Sequence, residues 1–248
     1  MRESSGPGIP AVPLGATPEP VSPGARLTAL TESPRRPGRY VVVADGEPVG
    51  AVSVEAIAAL RLRVGETVDA DRLAAIRAAV RATACHDKAV DALARRARAR
   101  GELARWLRER EFTSEEIEPV LDRLAALGLL DDRAFARAFA RSRIAGRGFG
   151  PRRVAAELGR RGVDRRIIDE VLAEAREEAR EEAGAEGAAA EGDAITRAAT
   201  TRLRSLHGLD PVVARRRLVG WLARRGHGVG DALAVAKRLI PLAPRRGG

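Results

Sequence analysis

The nine residues Val154-Ala155-Ala156-Glu157-Leu158-Gly159-Arg160-Arg161-Gly162 have two counterparts in the chain. These are Glu102-Leu103-Ala104-Arg105-Trp106-Leu107-Arg108-Glu109-Arg110 and Leu218-Val219-Gly220-Trp221-Leu222-Ala223-Arg224-Arg225-Gly226. Each places a leucine (Leu158, Leu107, Leu222) ahead of a basic end, and each is followed by a second helical pattern. Trp106 and Trp221 hold equivalent places. Repeats of roughly 50 residues predict stacked helical modules that bury their apolar faces against one another.

Local signals outward from these stretches agree. Thr113-Ser114-Glu115-Glu116 reads as a capping box ahead of a helix from Ile117 to Leu127, and Gly128 suits the position just past its end. Gly150-Pro151 sets proline in a first helical turn. Asp164 is placed to cap Arg165 to Ala173, and Asp210-Pro211 repeats the arrangement. Leu121, Leu124 and Leu127 are expected in the core, as are Phe135, Phe139 and Ile144 at helical spacing. Trp106 and Trp221 are also read as core residues rather than base-stacking platforms.

The expected organisation has modules at 88–130, 131–173 and 194–248. An acidic Ala/Glu segment at 174–193 either extends the preceding helix or loosens into a linker near Gly184. Upstream, Arg39-Tyr40-Val41-Val42-Val43-Ala44, Asp45-Gly46 and Pro48-Val49-Gly50-Ala51-Val52 predict a β-hairpin, with Pro48 at a strand start or edge. Helices are expected from Val54 to Leu60 and from Asp69 to Ala84, completing a segment at 39–87. Residues 1–38 hold eight prolines and five glycines. That composition buries too little apolar surface to offset its ordering entropy, so a disordered tail is expected. The fold class is all-α: tandem three-helix modules with a small N-terminal β-hairpin and a disordered tail.

Composition supports this reading. Aromatic residues are 3% of a 45% hydrophobic chain, so the core must be built from Ala, Leu, Val and Ile. Ala, Leu, Arg and Glu all favour helix. The net charge is +10 and nearly all the cations are arginine, which suits an anionic partner. Residues 194–248 hold twelve basic residues against two acidic, whereas 174–193 hold two against eight. Bias concentrated in one module is not explained by uniform arginine enrichment.

Catalytic signals are absent. Neither Lys88 nor Lys237 follows a glycine, so there is no Walker-type loop. Ala145 to Pro151 is glycine-rich but follows a helix, which reads as a helix-to-helix turn. His86, His207 and His227 are scattered and Cys85 stands alone, which does not make a zinc site. No Gly-x-Ser-x-Gly elbow occurs. Asp131-Asp132 and Glu115-Glu116 sit near helix starts, where they complement the macrodipole. The protein is expected to be no enzyme and to need no cofactor or metal. One cysteine and the lack of a long apolar run predict a cytoplasmic chain with no membrane association.

What remains is arginine. Arg141, Arg143, Arg147, Arg152 and Arg153 flank the glycine turn, and Arg160 and Arg161 end the next helix. Arg215, Arg216 and Arg217 begin the corresponding helix of the third module, which Arg224 and Arg225 end. These twelve are the candidate contacts to nucleic-acid phosphates or to acidic protein surfaces. The competing reading is a solvated face with cations at helix C-termini.

Gly128-Leu129-Leu130-Asp131-Asp132-Arg133-Ala134-Phe135-Ala136 resembles the RecX family. So do Phe139-Ala140-Arg141-Ser142-Arg143, Gly148-Phe149-Gly150-Pro151-Arg152-Arg153-Val154, Glu157-Leu158 and Arg161-Gly162-Val163. The similarity is clearest over about residues 89–173 and continues more weakly to about residue 240. It implies three-helix modules in a curved, right-handed array. It also implies binding to the RecA recombinase filament on single-stranded DNA, with inhibition of ATP hydrolysis, strand exchange and co-protease activity. Double-stranded DNA is a further implied partner, and a monomer the expected state. The chain departs from the family at Arg98-Ala99-Arg100, where His-Ser-Arg is usual and the serine would cap a helix. A helical DNA-binding protein acting without the recombinase is the alternative.

Overall fold

A computed structural model describes the backbone of residues 21–182 and 188–242 and the side chains of 21–178 and 194–242. In chain order the elements are β1 (Leu27–Glu32), β2 (Arg39–Ala44), β3 (Glu47–Ser53), α1 (Val54–Leu60), α2 (Ala70–Arg95), α3 (Arg100–Arg108), α4 (Ser114–Ala126), α5 (Asp132–Arg147), α6 (Pro151–Arg160), α7 (Arg165–Glu182), α8 (Ala188–Leu203), α9 (Pro211–Arg224) and α10 (Val229–Leu239). A short 3-10 turn, Arg204–Leu206, follows α8. The described residues fall into two compact units, 21–96 with Ala104–Leu124 and Ala97–Leu103 with 125–242.

In the first unit, Asp45 and Gly46 take positive φ (49° and 86°) and close the β2–β3 hairpin in the turn whose twist matches that of the strands. Pro48 opposes Val43 where the register shifts. It lies on an edge strand, because the sheet order is β1-β2-β3, so its missing N–H interrupts no inner ladder. β1 corrects the expectation of disorder through residue 38. Leu27–Glu32 pairs antiparallel with β2, Leu30 opposite Val42. The strand brings little apolar surface of its own. It borrows burial from Val42, Ala44, Val49 and Val52 and from Leu73 and Ile76 of α2, among which Leu27 is buried. Residues 1–20 of the expected tail lie outside the described residues.

The expected boundary between residues 87 and 88 falls inside α2, which runs unbroken from Ala70 to Arg95. The Asp69 carboxylate accepts from the Arg72 N–H at 2.8 Å and starts the helix. No glycine or proline follows to stop it before Arg95. α4 carries half of the predicted capping box, the Glu116 carboxylate accepting from the Thr113 N–H at 2.9 Å. Leu121 and Leu124 are fully buried, but Leu127 is 60% exposed. α4 ends at Ala126 and Gly128 turns away with φ +69°, so the helical spacing that buries Leu124 no longer applies to Leu127.

The second unit holds two helical modules. Ala136, Ala140, Val154, Leu158, Val163, Ile168 and Val171 form the core of α5–α7. Ile195, Ala199, Leu206, Ala214, Leu218, Leu222, Ala232, Val235 and Ala236 form that of α8–α10. Phe135 and Phe139 stack at 6.1 Å and pack on the first core only partly buried, as does Ile144. Trp221 is likewise only partly buried against the second core. α7 continues to Glu182 and α8 begins at Ala188, so helix occupies both ends of the acidic segment. Its expected loosening near Gly184 lies outside the described residues.

Candidate functional site

α6 starts without a side-chain cap: Gly150 is its N-cap and Pro151 its first residue. The free N–H groups of a helix start need acceptors, and the end of α9 supplies them. Gly150 donates to the Arg225 carbonyl at 2.8 Å and Arg152 to the Gly226 carbonyl at 3.3 Å. The negative end of one helix dipole thereby meets the positive end of another. The approach requires glycine on both sides. A Cβ on Gly150 would lie 2.3 Å from the Gly226 carbonyl carbon, and one on Gly226 would lie 2.4 Å from the Arg153 nitrogen.

The same close approach recurs one module earlier. A Cβ on Gly101 would lie 2.7 Å from the Gly162 Cα, and one on Gly162 would lie 2.8 Å from the Gly101 Cα. The Arg-Arg-Gly ends of α6 and α9 are therefore seats for the first turns of α3 and α6. The missing serine before α3 is made good across the fold, because the Arg100 N–H donates to the Asp132 carboxylate at 2.7 Å. Burial raises that carboxyl above its usual range. At the two ends of the series side chains take over. After α3 the equivalent place is Glu111 (φ 64°), and its carbonyl accepts from Arg81 at 2.8 Å. At the start of α9, Asp210 accepts from the N–H groups of Val212 and Val213 at 2.9 and 3.2 Å.

Arginines crowd the α6–α9 joint. Arg225 donates through Nη2 to the Arg147 carbonyl and through Nε to the Gly148 carbonyl, the latter at 3.2 Å. Its guanidinium lies over Phe149 and Trp221, 4.9 and 4.6 Å from the ring centres. Arg153 also lies over Phe149, 4.0 Å from the ring centre, and its Nε is 3.1 Å from a Glu157 oxygen. Away from the joint, within α5–α6, Arg143 and Arg161 both approach the Phe139 ring, at 4.8 and 4.5 Å. Arg143 also stands 3.5 Å from the buried Glu157 carboxylate, and Arg161 donates to the Glu157 carbonyl at 2.8 Å. Burial, and then the charge of Arg153, holds the Arg225 guanidinium below its ordinary value. The His227 Nε2 lies 3.1 Å from the Gly148 carbonyl, and burial pushes that imidazole down.

The twelve candidate arginines divide accordingly. Arg153 and Arg225 are engaged at the joint, and Arg143 and Arg161 are engaged within α5–α6, on Phe139 and Glu157. Arg215 is engaged elsewhere, donating to the Ile240 carbonyl at 2.7 Å. Arg141, Arg147, Arg152, Arg160, Arg216, Arg217 and Arg224 present exposed side chains. Of these, Arg147, Arg152 and Arg224 adjoin the joint, whereas Arg216 and Arg217 lie about two turns along α9 from Arg224. The sequence reading missed Gly101, Gly150, Gly162, Gly226, Phe149 and Glu157. The repeated Arg-Arg-Gly at 160–162 and 224–226 was the available signal.

Nothing at the joint resembles a catalytic or metal site. Among the described residues no group of three His, Cys, Asp or Glu is placed to hold a metal ion. Burial pushes the Cys85 thiol up to about 11, which leaves it a poor nucleophile. Among the described residues no helix is long and apolar enough to cross a membrane.

Comparison with known proteins accords with this architecture. The family model for the first three-helix domain of RecX matches residues 85–124, and that for the second matches 131–172. The regulatory protein RecX of Streptomyces coelicolor is 38% identical over 143 residues, covering 58% of this chain and 70% of that protein. That of Thermobifida fusca is 40% identical over 145 residues, 58% of this chain and 72% of that protein. In fold the chain is similar to a crystal structure of regulatory protein RecX, with TM-score 0.69, 22% identity and coverage of 85% of this chain and 98% of that one. RecX from Lactobacillus salivarius superposes with TM-score 0.54 at 16% identity, over 64% of this chain and 96% of that one. With two thirds or more of each of these two relatives covered at this identity, the chain belongs to the RecX family of regulatory proteins.

Proposed function

We propose that this protein is a negative regulator of homologous recombination that binds the RecA filament on single-stranded DNA. Bound there as a cytoplasmic monomer, it inhibits the filament's ATPase, strand-exchange and co-protease activities without cofactor or bond chemistry. The observation that carries this reading is the backbone joint between Gly150 and Gly226. It fixes the backbone positions from which the exposed Arg147 and Arg152 of one module and Arg224 of the next extend. A filament repeats its subunits and phosphates at fixed intervals, and preorganised cations lose less freedom on binding one. Arg141, Arg160, Arg216 and Arg217 extend the attraction along α5, α6 and α9. Arg143, Arg153, Arg161, Arg215 and Arg225 contribute by holding the shape.

The test is ATP hydrolysis by the cognate recombinase on single-stranded DNA, titrated with this protein. Inhibition below one protein per recombinase subunit is expected. Changing Arg152, Arg216, Arg217 and Arg224 together to alanine should weaken inhibition and flatten its salt dependence, by about one unit of log-log slope for each phosphate no longer engaged. No inhibition, with DNA binding intact in the same buffer, would favour a DNA-binding protein that acts without the recombinase.

A further inference from the structure

A second basic site lies in the first unit and uses none of the twelve arginines discussed above. The β1–β2 loop, Ser33-Pro34-Arg35-Arg36-Pro37-Gly38, is folded tightly on itself. Ser33 donates to the Arg39 carbonyl at 2.7 Å, Arg36 to that of Ser33 at 3.2 Å and Arg39 to that of Arg36 at 3.1 Å. The Gly38 N–H donates to the Glu32 carboxylate at 3.1 Å. Pro34 and Pro37 fix two further backbone angles. Opposite the loop, α2 offers His86, Asp87 and Asp91. Asp87 is 4% exposed and takes Arg39 in a fork, with Nε at 3.0 and 3.2 Å and Nη2 at 2.7 Å. Arg36 stands 3.6 Å from Asp87 and 2.5 Å from Asp91. His86 Nδ1 is 3.3 Å from Arg39 Nη2. Between loop and helix opens a pocket of about 400 Å³, lined by Arg35, Arg36, Arg39, His86 and Asp87 among others.

We propose that this pocket binds a phosphate group, presented as a phosphodiester of a nucleic-acid strand. Three guanidiniums face two carboxylates. Donors remain for a ligand. Arg35 makes no hydrogen bond or ion pair among the described residues. Arg36 engages its two Nη atoms, so its Nε–H is unspent. Arg39 Nη1 has a single long interaction, 3.4 Å to the Gly38 carbonyl, against two N–H groups on that atom. Planar guanidinium forks match phosphate oxygens geometrically. Asp87 acts here as an internal anchor: it aims Arg39 and is itself saturated, so the loop cations are held in place before any ligand arrives. The pocket is too open to enclose a small molecule over most of its surface, as small-ligand sites do. One phosphate of a strand passing across it needs no such enclosure. The proposal is independent of recombinase binding.

The experiment is a titration of the full-length chain, followed through the imidazole proton resonances. There are three histidines, and His86→Gln identifies the relevant signal. Inorganic phosphate replaces chloride at constant ionic strength and pH, and an oligothymidylate is the second probe. A saturable His86 shift with phosphate is expected. It should weaken by roughly tenfold or more in Arg35→Gln/Arg36→Gln and tighten in Asp91→Asn, which frees Arg36 from its carboxylate. Asp87 keeps its fork from Arg39 in the double variant, a thermal melt checks that the fold is retained, and Arg35→Gln alone, at an exposed and unpartnered side chain, should weaken binding in the same direction. The oligothymidylate should move the same resonance at lower concentration. The absence of a saturable phosphate shift, or an identical shift in the double variant, would overturn the site. A phosphate shift that the oligothymidylate neither reproduces nor competes with would overturn the strand and assign the pocket to free phosphate or a nucleotide.

Discussion

Gly150 and Gly226 meet backbone to backbone, with the Gly150 position so close that an added Cβ would lie 2.3 Å from the Gly226 carbonyl oxygen. Gly150→Ala should therefore open the joint, and overpacking of this kind costs about 1–3 kcal/mol. Gly159 is the control: it sits within α6 and a Cβ there meets nothing within 4 Å. Gly159→Ala should stabilise by about 0.5–1 kcal/mol through helix propensity. Urea melts of both variants check the contrast, and equal destabilisation would refute the joint.

Gly226 and Glu111 occupy equivalent places after α9 and α3, both at positive φ (88° and 64°). Only Gly226 lies against another backbone. Gly226→Ala should lose stability through both backbone strain and steric clash. Glu111→Gly should gain up to about 1 kcal/mol, because a left-handed residue other than glycine costs roughly that much. Thermal melting distinguishes them, and a Glu111→Gly variant less stable than wild type would show that the side chain does more than the backbone argument allows.

Arg224 and Arg225 are neighbours with opposite roles. Arg225→Ala removes two hydrogen bonds and the packing on two aromatic rings, and should cost about 1–3 kcal/mol of stability. Arg224→Ala should leave the melting temperature unchanged and, on the function proposed above, reduce filament binding, most visibly at low salt. If both variants changed stability alike, the division of the arginines into joint and surface would fail.

Asp87 gives the first unit a sensitivity to acid. Burial pushes its carboxyl up, but hydrogen bonds from His86 and Arg39 and the charges of Arg39 and Arg36 outweigh burial and hold it below the ordinary 3.8. A carboxyl depressed in the folded state contributes stability that is fully present above its unfolded value. That stability is lost as pH falls through the folded value. Loss should begin near pH 4 and deepen below it, and Asp87→Asn should flatten the stability-pH curve in that range. Arg39→Ala at neutral pH should cost about 1.5–3 kcal/mol by removing the hydrogen-bonded fork from a buried carboxylate, which keeps only His86 and the more distant Arg36. Circular dichroism across pH 2–7 tests the first expectation, and a wild-type curve matching Asp87→Asn would contradict it.

Local chemistry alone settled much of this protein. The three leucine-centred stretches became α3, α6 and α9, because apolar spacing at the helical period admits few other outcomes. Asp210 with Pro211 and Asp45 with Gly46 acted where they stand, since a cap and a primed turn need only their own neighbours. Leu127 and β1 were misread for a common reason. Burial belongs to a residue's surroundings, so a good core residue past a helix end stays exposed and a weak strand beside a waiting sheet edge is ordered.

The roles of the arginines could not be read locally at all. Arg160 and Arg161, or Arg224 and Arg225, are indistinguishable as letters. Only the packing of α9 against α6 sets Arg225 over Phe149 and leaves Arg224 in solvent. The sequence by itself determined the helices, their caps and the excess of positive charge, all of which depend on interactions a few residues apart. The tertiary structure alone decided which glycines are obligatory, that Arg225 joins two modules and that Arg224 stays exposed, because each of those depends on atoms from segments some 50 to 80 residues away in the chain.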